Sequence, residues 1–155
     1  MQIVLLEPEI PPNTGNVARL CAATRSRLHL IGPLGFRLDD SQLKRAAMDY
    51  WEQVDWTIWE NWPVFAESLS ADVRCWFVEQ GGGRSYDSVE FRPEDCLVFG
   101  RESVGLPKAL LAENPVRCLE IPVLNPQARS LNLSNCVALV LYEALRQQGF
   151  GEVSS

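Results

Sequence analysis

No run of about 18 apolar residues occurs in this chain of 155, so no segment has the make-up of a membrane-spanning helix. The N-terminus, Met1-Gln2-Ile3-Val4-Leu5-Leu6-Glu7, lacks a basic stretch and soon meets an acid. It does not have the form of a secretory leader, and a cytoplasmic location is expected. The five cysteines, Cys21, Cys75, Cys96, Cys118 and Cys136, are odd in number, widely spaced and without a C-x-x-C pair. That pattern argues against zinc or dithiol chemistry and for buried free thiols, and no metal is expected. Neither G-x-G-x-x-G nor G-x-x-x-x-G-K-[ST] is found, which disfavours ordinary NAD and ATP sites. Histidine is represented by His29 alone; it falls in an expected strand, where a core role is the simpler reading.

What remains is an ordinary globular composition, 46% apolar and 22% charged. The length suits one compact domain, expected over residues 1–150, with a short frayed tail at 151–155. A net charge of −6 argues against indiscriminate adhesion to nucleic acid. The charge is uneven, however. Residues 19–45 carry Arg19, Arg25, Arg27, Arg37, Lys44 and Arg45, whereas 46–73 carry acids and no Lys or Arg, so a local basic face is open to the fold.

Short apolar runs alternate with amphipathic stretches. Strands are predicted at Ile3 to Leu6, Leu28 to Ile31, Cys75 to Val78, Cys96 to Phe99 and Cys118 to Ile121, with a weaker candidate at Val54 to Ile58. Helices are predicted from about Asn16 to Thr24, Ser41 to Met48, Pro63 to Leu69, Pro107 to Ala112 and Leu133 to Gln148. The alternation implies an α/β fold with a mainly parallel sheet flanked by helices. The last helix carries Cys136-Val137-Ala138-Leu139-Val140-Leu141-Tyr142 consecutively, so its apolar surface runs round the cylinder. A fold this small hardly encloses such a helix, and a homodimer through it is expected. Asn132 and Ser134 offer caps at its start.

Ligands of open parallel sheets bind beyond the carboxyl ends of the strands. Three loops that leave such ends are unusual: Gly81-Gly82-Gly83 after Val78, Gly100-Arg101-Glu102-Ser103-Val104-Gly105-Leu106-Pro107 after Phe99, and Pro122-Val123-Leu124-Asn125-Pro126-Gln127-Ala128-Arg129-Ser130 after Ile121. Glycine allows backbone to approach a ligand and proline fixes a loop, a combination suited to a flat heterocycle held by main-chain atoms. A fourth segment, Pro11-Pro12-Asn13-Thr14-Gly15-Asn16-Val17-Ala18-Arg19, enters the first helix; Asn13 or Thr14 is a candidate N-cap, and Arg19 sits at the border of the inward face.

Together, Asn13-Thr14-Gly15-Asn16-Val17-Ala18-Arg19, the Gly100 to Pro107 loop, and Ile121-Pro122 followed by Ser130-Leu131-Asn132-Leu133-Ser134 resemble the three motifs of the SpoU branch of the SPOUT RNA 2′-O-methyltransferases. The resemblance spans nearly the whole chain. Its opening, Glu7-Pro8-Glu9-Ile10-Pro11-Pro12-Asn13, looks like the minimal subgroup acting on the tRNA wobble nucleotide, cytidine or uridine, and Asp49-Tyr50-Trp51 fits that subgroup too.

The resemblance implies a C-terminal trefoil knot, which patterning cannot reveal. It implies S-adenosylmethionine held by Val78, Gly100, Glu102, Ile121, Ser130 and Leu131, and a catalytic set of Arg19, Asn13 and Asn132. The tRNA anticodon stem-loop would be contacted by Arg19, Arg25, Arg129 and Tyr142. A guanidinium stays protonated in proteins, so an electrostatic role suits Arg19, with a neighbouring phosphate or a briefly neutral Arg19 taking the proton. Glu102 and Asn132 are expected to orient the first-motif loop and the cofactor pocket. The resemblance leaves open another tRNA or rRNA position as acceptor, and a knotted RNA-binding factor without turnover.

Overall fold

A computed structural model describes residues 1–151; the expected tail beyond Gly151 lies outside the described residues. Seven strands form the sheet: β1 (Gln2–Leu6), β2 (Arg27–Ile31), β3 (Trp56–Trp59), β4 (Cys75–Val78), β5 (Arg84–Ser85), β6 (Cys96–Phe99) and β7 (Cys118–Glu120). Five α-helices accompany them: α1 (Pro11–Thr24), α2 (Ser41–Ala47), α3 (Trp62–Ser68), α4 (Lys108–Glu113) and α5 (Leu133–Gln147). A 3-10 turn, Met48–Gln53, continues α2. The strand order is β3-β2-β1-β6-β4-β7-β5 and every pairing is parallel.

A parallel sheet is covered on both faces, which is why its central strands read as unbroken apolar runs. Alternate residues point to opposite faces. Ile3, Leu5, Leu28, Leu30, Leu97 and Phe99 meet Val17, Ala18 and Cys21 of α1 and Val137, Val140, Leu141 and Ala144 of α5. On the other face Val4, Leu6, Ile31, Phe77 and Val98 meet Phe65 of α3 and Leu110 of α4. At Gly15 a Cβ would stand 2.6 Å from that of Ala46, so glycine lets α1 press against α2.

The structure corrects several expectations. α1 begins at Pro11, five residues before the predicted start, because Pro11 and Pro12 fill its first positions, where a missing N–H costs nothing. Extended Ile10 is therefore the N-cap residue, and Asn13 and Thr14 lie inside the first turn, not at a cap. β5 was not predicted, and β7 stops at Glu120. The weaker strand candidate is present, shifted to Trp56–Trp59. All five thiols are free, but only Cys21, Cys96 and Cys118 are buried; Cys75 and Cys136 are half-buried. The outer side of α5 leaves Leu139 and Tyr142 42% and 46% exposed. No helix among the described residues is long and apolar enough to cross a membrane.

His29 is buried, with Trp59 Nε1 donating to its Nδ1 at 3.0 Å and its Nε2 2.9 Å from Gln2 Oε1. Since Nδ1 accepts, Nε2 carries the proton and donates. Burial, seconded by the charge of Arg27, lowers its pKa to about 4. An unfolded histidine titrates near 6.5, so below that pH the unfolded chain binds the extra proton first and stability falls until the folded ring itself titrates. Thermal melts are expected to lose several degrees between about pH 7 and about pH 5, and a His29→Gln variant to lose fewer; equal slopes for the two proteins would refute this origin.

Candidate active site

The carboxyl ends of β6, β4 and β7 lie side by side, from the middle of the sheet toward its β5 edge, and the loops that leave them enclose a cleft of about 540 Å³. Val78, Gly100, Glu102, Ile121, Ser130 and Leu131 all line it, and so do Asn13 and Asn132. Four of the predicted residues do not: Arg19, Arg25, Arg129 and Tyr142.

The loop after β6 folds back on itself. Gly105 N–H donates to the Arg101 carbonyl at 2.8 Å and Arg101 N–H to that of Gly105 at 3.2 Å. The reversal needs a positive φ, 72° at Gly105, and it brings the Gly105–Leu106 backbone onto Gly100 with no space for a side chain at either glycine. Glu79 then pins the loop from below: its carboxylate accepts from Leu106 N–H at 2.6 Å and from Gln80 N–H at 3.1 Å. Sequence reasoning passed over Glu79. Its signal was positional, as the acid directly after the last residue of β4.

Glu102 reaches the other way. Its two oxygens accept from the backbone N–H groups of Glu9 at 2.8 Å and Ile10 at 3.2 Å, just ahead of the proline-led start of α1. Ser103 adds a parallel tie, its hydroxyl and N–H donating to Glu9 Oε1 at 2.7 and 3.1 Å. These two bonds, above all, lower the pKa of Glu9, with a smaller contribution from Arg101. The Arg101 guanidinium lies 3.5 Å from Glu9 and 3.8 Å from Glu7.

Asn132 caps α5, its Oδ1 accepting from Ser134 N–H at 2.9 Å, while its Nδ2 donates to Asn13 Oδ1 at 3.0 Å. One amide thus starts the last helix and fastens it to the first. Segments that are 119 positions apart in the chain meet at this bond.

The remaining candidates scatter. Arg19 is exposed on α1 with its guanidinium carbon 5.6 Å from the centre of the Tyr50 ring. Arg25 ends α1 in a left-handed conformation; fourteen residues at about 1.5 Å each put it roughly 20 Å from Pro11, at the end of the helix away from the cleft. There it lines a separate polar hollow with Met1, Arg27 and Asp55. Arg129 is exposed beside Ser130, and Tyr142 is on the outer side of α5 with its ring 6.4 Å from that of Phe150.

Residues 1–142 match the SpoU rRNA methylase family. The chain belongs to that family. A relative from Burkholderia pseudomallei, a tRNA (cytidine(34)-2′-O)-methyltransferase, is 49% identical over 151 residues, covering 96% of each chain. A solved structure concerned with "the 2-OH methylation of C/U34 on tRNA" superposes with a TM-score of 0.91 at 44% identity, over 96% of this chain and 95% of that one. The SpoU methyltransferase AviRb from Streptomyces viridochromogenes, solved in complex with AdoMet, shares the fold at a TM-score of 0.82 and 20% identity; 96% of this chain aligns with 57% of that one. For this SpoU methylase the three motifs are therefore parts of one cleft rim: Glu102 of the second holds the segment Glu9-Ile10 that leads into the first, and Asn132 of the third bonds Asn13 of the first directly.

Proposed function

We propose that this SpoU methylase transfers a methyl group from S-adenosylmethionine to the ribose 2′-hydroxyl of the wobble nucleotide of tRNA, cytidine or uridine. The observation that carries the reading is the Asn132–Asn13 hydrogen bond at 3.0 Å, which places the first motif on the edge of the cleft built by the other two.

The cleft fits the cofactor. Its volume is that of a small-molecule site. Gly100 and Gly105 bring main-chain atoms to the lining, and Val78, Ile121, Leu131 and Leu133 give apolar walls for a heterocycle. Val78, Gly100, Ile121, Ser130 and Leu131 would hold it, with Glu102 fixing the loop. When bound, S-adenosylmethionine supplies an electrophilic methyl group on a sulfonium.

The chain's own contribution is orientation and charge. Glu102, Asn13 and Asn132 keep the start of α1 at the cleft, so an acceptor held on α1 is held relative to the cleft, and this pre-paid alignment accounts for much of the acceleration. Arg19 binds the neighbouring phosphate and stabilises the alkoxide as the 2′-hydroxyl loses its proton. The proton passes to that phosphate, because the guanidinium remains charged.

The acceptor is the anticodon stem-loop, with Arg19, Lys44, Arg45 and Arg129 as contributors; Arg25 and Arg27 lie at the far end of α1. Tyr142 and Leu139, exposed on an otherwise core-forming helix, support a homodimer through α5, and membership of the family supports the C-terminal trefoil knot. A cytoplasmic location follows from the substrate.

The test is transfer of tritiated methyl to bulk tRNA, with the product nucleotide mapped by mass spectrometry and the enzyme sedimented alongside. One 2′-O-methyl group at the wobble nucleotide and a dimer are expected. Label at another position would redirect the acceptor, no label would leave an RNA-binding factor, and a monomer would remove the dimer.

A further inference from the structure

Four of the ten exposed arginines of this acidic chain are tied to carboxylates: Arg27 to Asp55, Arg37 to Asp39, Arg101 to Glu7 and Glu9, Arg146 to Glu143. Arg19 has no carboxylate within ion-pairing distance among the described residues. Its guanidinium carbon instead lies 5.6 Å from the centre of the Tyr50 ring, inside the range of cation–π attraction. The difference is chemical. A carboxylate would occupy the N–H donors, whereas a ring engages the charge through its π-face and spends none of them.

Tyr50 is held in place by features that the cleft does not use. It is the middle residue of Asp49-Tyr50-Trp51, in the 3-10 turn Met48–Gln53. The chain enters this turn through Met48 at φ 54° and ψ −134°, a strained conformation for a residue with a side chain. Trp51 anchors the turn, its ring 4.8 Å from that of Trp56 and packed on the buried core. Gly15 seats α2, and with it the turn, against α1. The packing of partly buried Trp51 and the seating of α2 hold the strained turn in place and with it a ring beside Arg19.

We infer that Tyr50 is a positioning residue for Arg19: its ring holds the guanidinium extended, with its donors free for the ribose and phosphate oxygens of the acceptor nucleotide. This rests on the assignment of Arg19 to the chemistry made above.

The test compares Tyr50→Phe, Tyr50→Leu and Arg19→Ala by kcat at saturating cofactor, S-adenosylhomocysteine affinity, melting temperature and the NMR shift of the Arg19 Nε–H. Tyr50→Phe is expected to stay within about twofold of the parent. Tyr50→Leu is expected to lose roughly tenfold in kcat at unchanged cofactor affinity and melting temperature, with the Arg19 resonance freed from its ring-current shift. A Tyr50→Leu protein as fast as the parent, beside an inactive Arg19→Ala, overturns the role of Tyr50 and leaves Arg19 standing. Full activity in Arg19→Ala overturns the assignment beneath it. A parallel fall in turnover, cofactor affinity and melting temperature makes Tyr50 structural and also overturns the inference. If leucine prevents folding, Tyr50→Met, which keeps bulk without a ring, is read by the same outcomes.

Discussion

Replacing Arg19 with alanine is expected to lower turnover by roughly two to three orders of magnitude, the usual loss when one donor to a developing oxyanion is removed, and to leave cofactor affinity nearly unchanged. Both halves follow from where the residue stands. Arg19 is exposed on α1 and absent from the cleft lining, so its loss removes nothing that would hold S-adenosylmethionine. It pairs with no acid among the described residues and is exposed, with its guanidinium beside the Tyr50 ring, so the variant is expected to fold normally. Calorimetric titration with S-adenosylhomocysteine beside single-turnover methyl transfer separates the two quantities. Cofactor affinity falling in step with turnover would move Arg19 from the acceptor side to the cofactor side and end the mechanism above. Lysine at the same position restores the charge without the planar fork of donors, so partial recovery is expected from Arg19→Lys, and none if geometry alone matters.

The strands that carry the cleft were legible because both faces of the sheet are covered: Cys75–Val78 and Cys96–Phe99 appear with their predicted bounds. β5 was not, since Arg84-Ser85 has no apolar residue and exists as a strand only through its pairing with Leu119 and Glu120. The start of α1 was misplaced for a local reason, two prolines that read as a loop and serve as the first helical positions. Strand order was beyond reach, because it is set by pairings far apart in the chain.

The same division holds in the cleft. Gly100, Ser130 and Leu131 stood out as motif residues, and the structure places them on the lining. Glu79 did not stand out, because its work is done on the backbone of Leu106 and no pattern announces such a bond. Arg25 was grouped with Arg19 on the strength of closeness in sequence. Helical geometry separates them: Arg25 caps the C-terminal end of α1, at the amino ends of the strands beside Met1 and Arg27. Counting basic residues in a window gives a charge, and only the helix axis says which end of the molecule receives it.

The second large effect is expected at Gly100. A Cβ there would strike the carbonyl carbon of Gly105 and the amide nitrogen of Leu106, both backbone. Neither can swing aside as a side chain would, since Gly105 is paired in both directions with Arg101 and Leu106 N–H is held by Glu79 at 2.6 Å. Gly100→Ala must therefore push the whole Arg101–Leu106 loop outward from the cleft. Overpacking of this kind costs about 1–3 kcal/mol. Because the loop lies at the surface, with Arg101, Ser103 and Val104 exposed, the protein is expected to remain folded, and the cost to fall on cofactor binding as a loss of roughly 10- to 100-fold. Glu79→Ala weakens one of the two restraints on the loop, so in the double variant the Gly100→Ala penalty is expected to shrink. Calorimetry on the four proteins of that cycle decides the matter. Strictly additive losses would mean that Glu79 does not restrain the loop, and an undiminished affinity in Gly100→Ala would mean that the cofactor does not depend on the backbone between Gly100 and Leu106.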